Sequence, residues 1–430
     1  MLARRTFLRR SALAVSSLLS VDWPVLAGLA RPGKPAPTIL LRSSWQTINI
    51  GDIGHTPGAL AIFRRYLPKG TRLILWPSSV DNGVAELLNS YFPDLTIAEG
   101  SIGPDGQPTT PALNAAFAEA DLLVHGSGPS VLAQPHVAAW RKLTGKPYGI
   151  FGVTIGGELN DALLDLLNGA AFVYLRDTVS LKLLQEKGVR TPVLDFGPDA
   201  TFAIPFRNEA KAKQYLDAVG LADKQFLCVI PRLRYTPYWK LHGKAEPNEG
   251  ERKRDAISEE FKERDHAKLR EAMMAWVRTT GLPVLACPEM THEVPLAKEL
   301  LVDPLPADVR SKVVWRDRYW LPDEATSVYA RARAVVSFEM HSPIMAFQVG
   351  TPAFYLRQPT DTSKGQMWRD VGLSDWIFEI DAVDGAAITE RLLAVHRDYP
   401  AALRQLKTAQ AYVERKQRAM AEVVARVLRA

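Results

Sequence analysis

Short apolar runs alternate with amphipathic stretches along most of this chain, and that alternation restricts its fold more than any other feature. Strand-like runs fall at 39–44, 73–76, 95–98, 122–125, 148–153 and 172–175, with helix-like segments such as 59–66, 84–91 and 131–143 between them. Apolar runs too short for helices, separated by helical patterns, are what a parallel sheet with crossover helices requires. The rhythm restarts after Pro205, with strands expected at 226–230, 284–287, 313–315, 334–338 and 353–356. Helices are expected at 270–279, 322–330 and 343–349. The tail, 387–430, reads as mostly helical and is expected to pack back across the first half.

A chain of 430 residues exceeds the roughly 250–300 residues that one core usually holds. The expected class is therefore α/β, with Rossmann-like domains at 38–205 and 206–386 followed by helices at 387–430. One segment, 240–266, breaks the rhythm with a dense charge cluster that includes Glu249, Glu251, Arg252, Lys253, Arg254 and Asp255. It reads as a solvated insertion or as a lid over a cleft.

Half of the net charge of +6 lies in residues 1–30, where Arg4, Arg5, Arg9 and Arg10 face Asp22 alone. The excess left for the rest of the chain is too weak for a nucleic-acid binder, although a few cations gathered in a cleft would suit an anionic substrate. The same 30 residues read as a signal peptide: a basic start, a short weakly apolar run, and small residues before Ala27 or Ala30, where cleavage would fall. Arg4-Arg5-Thr6-Phe7-Leu8 resembles a twin-arginine signal, which implies the twin-arginine export machinery as a partner and a periplasmic location, or a membrane anchor if the segment stays uncleaved. Residues 31–37 form a Pro-rich linker. No later run approaches about 18 apolar residues, so no further membrane domain is expected. Cys228 and Cys287 lie in strand-like runs and read as buried thiols, with a disulfide as the alternative in an oxidising compartment.

The densest local signal is 335–352, where a buried strand ends at Glu339, His341 and Ser342. Ser342 suits an N-cap, Pro343 the first helical position, and Gly350 the helix stop. The three polar residues would then stand where open α/β sheets bind ligands and where free N–H groups favour an anion. Asn49, Gly51 and Asp52 follow the first strand directly; glycine there would let the backbone approach a ligand. Gly126 and Gly128 form a similar turn but lack the third glycine of a dinucleotide fingerprint, so no nicotinamide cofactor is expected. Arg176 ends the run 172–175, where a guanidinium can grip a carboxylate or phosphate through two parallel bonds, and Asp177 is placed to cap the next helix. Arg232 and Arg234 follow the first strand of the second half, Lys364 follows the strand after the His341 helix, and His292 follows the strand carrying Cys287. The stretch 291–295 has no second His at zinc-protease spacing, no Cys/His cluster is spaced for a metal, and no Gly-rich Lys-Ser/Thr phosphate loop occurs. Neither a metal nor any other cofactor is expected.

Taken in order, these pieces resemble the polysaccharide pyruvyl transferase family from about Trp45 to Leu373. The likeness rests on Asn49-Ile50-Gly51-Asp52, Gly126-Ser127-Gly128, Gly152-Val153-Thr154-Ile155-Gly156 and Leu175-Arg176-Asp177 with Ser180. It continues through Gly197-Pro198-Asp199-Ala200, His341-Ser342 with Ala346, Gly350 and Pro352, and then Lys364. The resemblance implies a GT-B-like fold, two Rossmann-like domains facing a central cleft. It also implies transfer of pyruvate from phosphoenolpyruvate to sugar hydroxyls of a cell-surface glycan acceptor, as a ketal. His341, Arg176 and Lys364 match the family's important positions. On this reading His341 performs acid/base work, Arg176 and Lys364 hold donor anions, and Glu339 orients His341 or the sugar. Asn49, Gly51, Asp52, Gly126, Gly128, Arg232, Arg234 and Ser342 are expected to line the substrate site. The reading requires His341 and Arg176 to meet from opposite halves across an anion-sized gap.

Phosphoenolpyruvate is made in the cytosol, which conflicts with export, so two alternatives stand beside the transferase. One is a periplasmic carbohydrate- or anion-binding protein of the same fold. The other is a glycosyltransferase with a nucleotide-sugar donor, its diphosphate bound at His341-Ser342.

Overall fold

Thirteen strands form two parallel sheets in the computed structural model, which describes residues 36–430. The first holds β1 (Thr38–Ser43), β2 (Arg72–Pro77), β3 (Thr96–Ile97), β4 (Leu122–His125), β5 (Tyr148–Val153), β6 (Phe172–Leu175) and β7 (Leu194–Phe196). Their order is β3-β2-β1-β4-β5-β6-β7. The second holds β8 (Leu227–Ile230), β9 (Val284–Ala286), β10 (Val313–Trp315), β11 (Ala334–Ser337), β12 (Ala353–Arg357) and β13 (Ile377–Glu379), in the order β10-β9-β8-β11-β12-β13. Each sheet reverses its strand order once, between β1 and β4 (Ile39 beside Leu122) and between β8 and β11 (Leu227 beside Ala334). A crevice opens outside the strand ends at such a switch point because neighbouring crossovers leave in opposite directions.

The strands read as nearly unbroken apolar runs because helices cover both faces. Within β1 the period of two is plain: Ile39 and Leu41 enter one core, and Leu40 enters another with Ile74, Leu123 and Val173. The core holding Ile39 and Leu41 continues through Phe202, Phe206, Phe347 and Trp368 to the second sheet. Pro37–Ala430 form one compact unit, and the expected boundary at 205/206 falls in the connection between β7 and β8.

The expected strands lie within a residue or two of those observed, while helices run differently in places: that expected at 59–66 begins nine residues earlier, as Ile50–Tyr66, and that expected at 131–143 is Gln134–Thr144. β7 and β13 were not foreseen; each is a three-residue strand, too short to carry a periodic signal. The charged segment is no insertion. From Glu249 onward it is the amino-terminal half of one 32-residue helix, Glu249–Thr280, opened by a capping box of Asn248 and Glu251 and closed at Gly281. Its charges face solvent until Asp265, His266 and Leu269 turn inward. The tail forms the helices Gly385–Arg397 and Tyr399–Val427. The last one does return to the first half, with Glu414 accepting from Arg65 and Tyr66, and Lys416 reaching Asp195. Cys228 and Cys287 are buried and free. The stretch expected to be an export signal lies outside the described residues, and among the described residues no helix is long and apolar enough to cross a membrane.

Candidate active site

Loops from the carboxyl ends of both sheets line one cavity of about 540 Å³, a size suited to a small ligand. Trp45, Asn49 and Asp52 enter it from the β1 loop, Pro129 and Leu132 from β4, and Arg176 from β6. Arg232 and Tyr238 enter from β8, Met290 from β9, Glu339 and His341 from β11, and Asp361 and Lys364 from β12. His341 and Arg176 thus meet in one space from opposite sheets.

A buried network under Asp199 fixes Arg176. Its Nη1 donates to Asp199 Oδ2 at 2.7 Å and its Nε to Thr154 at 2.8 Å. The other oxygen, Oδ1, lies 3.0 Å from His55 Nδ1 and accepts from the Thr201 N–H at 2.8 Å and Ser127 Oγ at 3.3 Å. Burial opposes ionisation of Asp199, but His55, Arg176 and His341 outweigh it and hold this carboxyl well below its ordinary range. One nitrogen each of His55 and His341 and an oxygen of Asp199 lie within 4.8 Å of one another. Asp199 already holds a guanidinium on one oxygen and three further groups around the other, so the trio fits a hydrogen-bonded floor better than a cation site.

His341 is held from several sides. Its ring meets His55 edge-on at 5.0 Å. It packs over Gly51 so closely that a Cβ there would lie 2.3 Å from Nδ1. Its Nδ1 stands 3.5 Å from Glu289 Oε1, while Nε2 is shielded from solvent and bonded to no protein group. The other oxygen of Glu289 accepts from the Ser342 N–H at 2.6 Å and Oγ at 2.7 Å. Burial raises the cost of charge on Glu289, yet the His341 ring and these Ser342 bonds hold it below the usual carboxyl range. Glu293 accepts from the N–H groups of Glu289 and Met290. Burial, with Glu339 and Glu289 nearby, pushes it well above the usual carboxyl range.

The opposite wall carries mixed charge. Arg232 Nε lies 2.8 Å from Glu339, a close ion pair without an aligned hydrogen bond, and Nη1 lies 2.5 Å from Asp361. Lys364 Nζ is looser, 3.4 Å from Asp361 and 3.9 Å from Glu339. Burial opposes the charge on Asp361, but Arg232 and Lys364 prevail and take its pKa down to about 2. Glu339 moves the other way, raised by burial despite the same two cations, with Glu289 and Asp361 adding repulsion.

Several expected site residues serve the scaffold instead. Ser342 is not the N-cap: the helix starts at His341, and Ser342 spends both its donors on Glu289. The anion at that helix terminus is therefore the protein's own carboxylate. Gly51 makes room for the His341 ring, and Gly126 and Gly128 for Ser43 and Trp45, whose atoms a Cβ would meet at 2.7 and 3.1 Å. These glycines admit side chains of the protein rather than a ligand. Asn49 does line the cavity, and it also caps the helix Ile50–Tyr66 through Gly51 and Asp52. Arg234 grips Asp265 with two bonds, reaches Asp381 and stacks on Phe261, away from the cavity. His292 is largely buried, pushed down to about 4 by burial and by Arg232, and is not among the cavity-lining residues.

His55, Asp199, Glu289 and Asp361 were not singled out from sequence. Asp199 stands inside a quoted motif, Gly197-Pro198-Asp199-Ala200, and Glu289 two residues past Cys287, so strand-end position was the one signal available for them. His55 and Asp361 carry no such signal.

Two parallel sheets that turn their switch points to one cleft define a GT-B-like α/β protein, and solved structures share the arrangement. The chain is similar to Anabaena Alr3699/HepE in complex with UDP and glucose, with a TM-score of 0.53 and 12% identity over 90% of this chain and 99% of that one. UDP-GlcNAc 2-epimerase from Neisseria meningitidis bound to UDP-GlcNAc gives 0.56 and 9%, covering 90% and 100%. E. coli ADP-heptose LPS heptosyltransferase II gives 0.50 and 11%, covering 85% and 99%. At these identities the likeness is one of fold. No curated protein matches the chain in sequence. The family model described as polysaccharide pyruvyl transferase matches residues 49–358, and the chain belongs to that family.

Proposed function

We propose that this protein transfers pyruvate from phosphoenolpyruvate to two hydroxyls of a glycan acceptor, giving a ketal. The observation that carries this reading is the shared cavity of His341 and Arg176, with Lys364 and Arg232 on its other wall. Phosphoenolpyruvate bears a carboxylate and a phosphate, and a guanidinium fixed by Asp199 meets such a group without reorganising. Lys364, held by two long contacts, is free to turn to the second anion. His341 takes a proton from the first hydroxyl as its oxygen bonds to C2, and returns a proton to C3, turning the methylene into a methyl. The second hydroxyl then forms the second C2–O bond as the bond from C2 to the phosphate oxygen breaks, and its proton leaves with inorganic phosphate. Nothing is oxidised or reduced. Trp45, Leu132 and Tyr238 offer the acceptor apolar surface at the mouth; Leu132 and Tyr238 are exposed by 47% and 43%.

We place the mature protein in the periplasm on the strength of its twin-arginine-like start, a pathway that carries folded proteins. Incubation of the mature chain with phosphoenolpyruvate and oligosaccharide acceptors, followed by NMR for the ketal methyl signal, tests the activity. His341→Ala should abolish that signal with the fold intact. Stabilisation by UDP with no ketal formed would favour the nucleotide-sugar alternative instead.

A further inference from the structure

The site's acid/base group depends on a residue that no family motif quoted above contains. We propose that Glu289 is the positioning residue of His341: its carboxylate takes the Nδ1 proton and so fixes both the tautomer and the orientation of the ring. This rests on the pyruvyl-transfer reading of the same cavity and adds how its imidazole is set.

The two oxygens of Glu289 have different duties. Oε2 is satisfied by Ser342, through a backbone N–H at 2.6 Å and a hydroxyl at 2.7 Å. That alone would make Glu289 a helix-end carboxylate. Oε1, however, is fully buried and makes no aligned hydrogen bond; what faces it is His341 Nδ1 at 3.5 Å. An ionised oxygen sealed from water is costly if it meets no donor, so the ring places a proton on Nδ1 in both its neutral and its charged forms. Contraction of a few tenths of an ångström makes this a charge-assisted bond.

The surroundings prevent the ring from escaping this arrangement. Gly51 lies under it without room for a Cβ, and His55 meets it edge-on. The charged and titratable groups facing it come from four elements: Glu289 after β9, Asp199 after β7, Arg176 after β6 behind that carboxylate, and His55 on the helix Ile50–Tyr66. Glu289 is itself tied across the cleft, because its carbonyl accepts from Ile50 N–H at 3.1 Å and Thr291 N–H donates to Ile48 at 3.1 Å. The carboxylate that sets the imidazole therefore sits on the strand-like clasp joining the two halves. With Nδ1 engaged, Nε2 is the nitrogen with no protein partner, and it is shielded from solvent.

Selective ¹⁵N-histidine labelling of the full chain, with His341→Gln identifying the signal, reports which nitrogen carries the proton in the neutral ring. The expected wild-type state is Nδ1–H. In Glu289→Gln an amide N–H faces Nδ1 and should turn the ring to the Nε2–H form. The acidic limb of the pH–rate profile should then move down by about one unit, and kcat should fall about 100-fold, with KM for phosphoenolpyruvate within about threefold. A purely capping role would lower the melting temperature without changing the tautomer. Nε2–H in the wild type, or the same tautomer in both proteins, would overturn the proposal. If the variant does not fold, the wild-type tautomer still decides. If the wild type shows Nδ1–H but no pyruvyl transfer, the proposed reaction fails while the positioning role stands.

Discussion

The guanidinium of Arg176 reaches the carboxylate of Asp199 at 2.7 Å with both side chains sealed from solvent. Buried pairs of this kind hold geometry rather than add much net stability, but removing one partner strands the other. Asp199→Asn should therefore cost roughly 3–5 kcal/mol in denaturant unfolding. Arg176→Lys keeps the charge but cannot serve Thr154 and Asp199 together. It should raise KM for phosphoenolpyruvate at least about tenfold, the equivalent of about 1.4 kcal/mol.

Arg234 and Lys364 give opposite expectations although both are cations of the second half. Arg234 is bound to Asp265 and Asp381 outside the cavity. Arg234→Ala should destabilise the protein by roughly 3–5 kcal/mol, yet leave both KM values of the folded fraction unchanged. Lys364→Gln should do the reverse: it should raise donor KM about tenfold, with an unfolding midpoint close to wild type. Steady-state kinetics beside urea titrations separate the two patterns.

Tyr238 offers an exposed ring to the mouth of the cavity, stacked on His242 at 5.7 Å. Tyr238→Ala should raise acceptor KM about tenfold and leave donor KM unaltered, while Tyr238→Trp should restore binding. Equal effects on both substrates would remove this residue from the acceptor side.

Stability should respond to pH through two carboxyls of opposite sense. Asp361 is depressed from 3.8 to about 2, so its contribution is complete above its ordinary pKa and is lost as pH falls from about 4 toward 2. Glu293 is raised well above 4.5. The stability tied to its protonation is fully present below 4.5 and is lost as pH rises through the elevated value. Glu293→Gln keeps a neutral acceptor at that place. Its melting temperature should match wild type at low pH and exceed it increasingly as pH rises through the elevated value, by about 2–4 °C per kcal/mol.

The legible part of this molecule is periodic. Runs such as Leu122–His125, Tyr148–Val153 and Phe172–Leu175 fall where local pattern places them, because a strand buried on both faces declares itself within a few residues. Strand ends were legible for the same reason, and Arg176, Glu339 and His341 are strand-end residues that do line the cavity. Ser342 was misread because an N-cap and a donor to a distant carboxylate use the same residue type. The glycines at 126 and 128 were misread because sequence does not tell whether the space they leave is for a ligand or for Ser43 and Trp45.

The linear chain determined two doubly wound sheets and put an arginine and a histidine at the ends of their strands, since hydrophobic period and chain reversal are local properties. Folding alone chose their companions. Asp199 is 144 residues from His55 and Glu289 is 53 from Ser342, and no local pattern encodes which loops will converge at two switch points. Charge state belongs to that second category, because burial and neighbours, not residue type, pull Glu289 below the usual carboxyl range and push Glu293 above it only four positions apart.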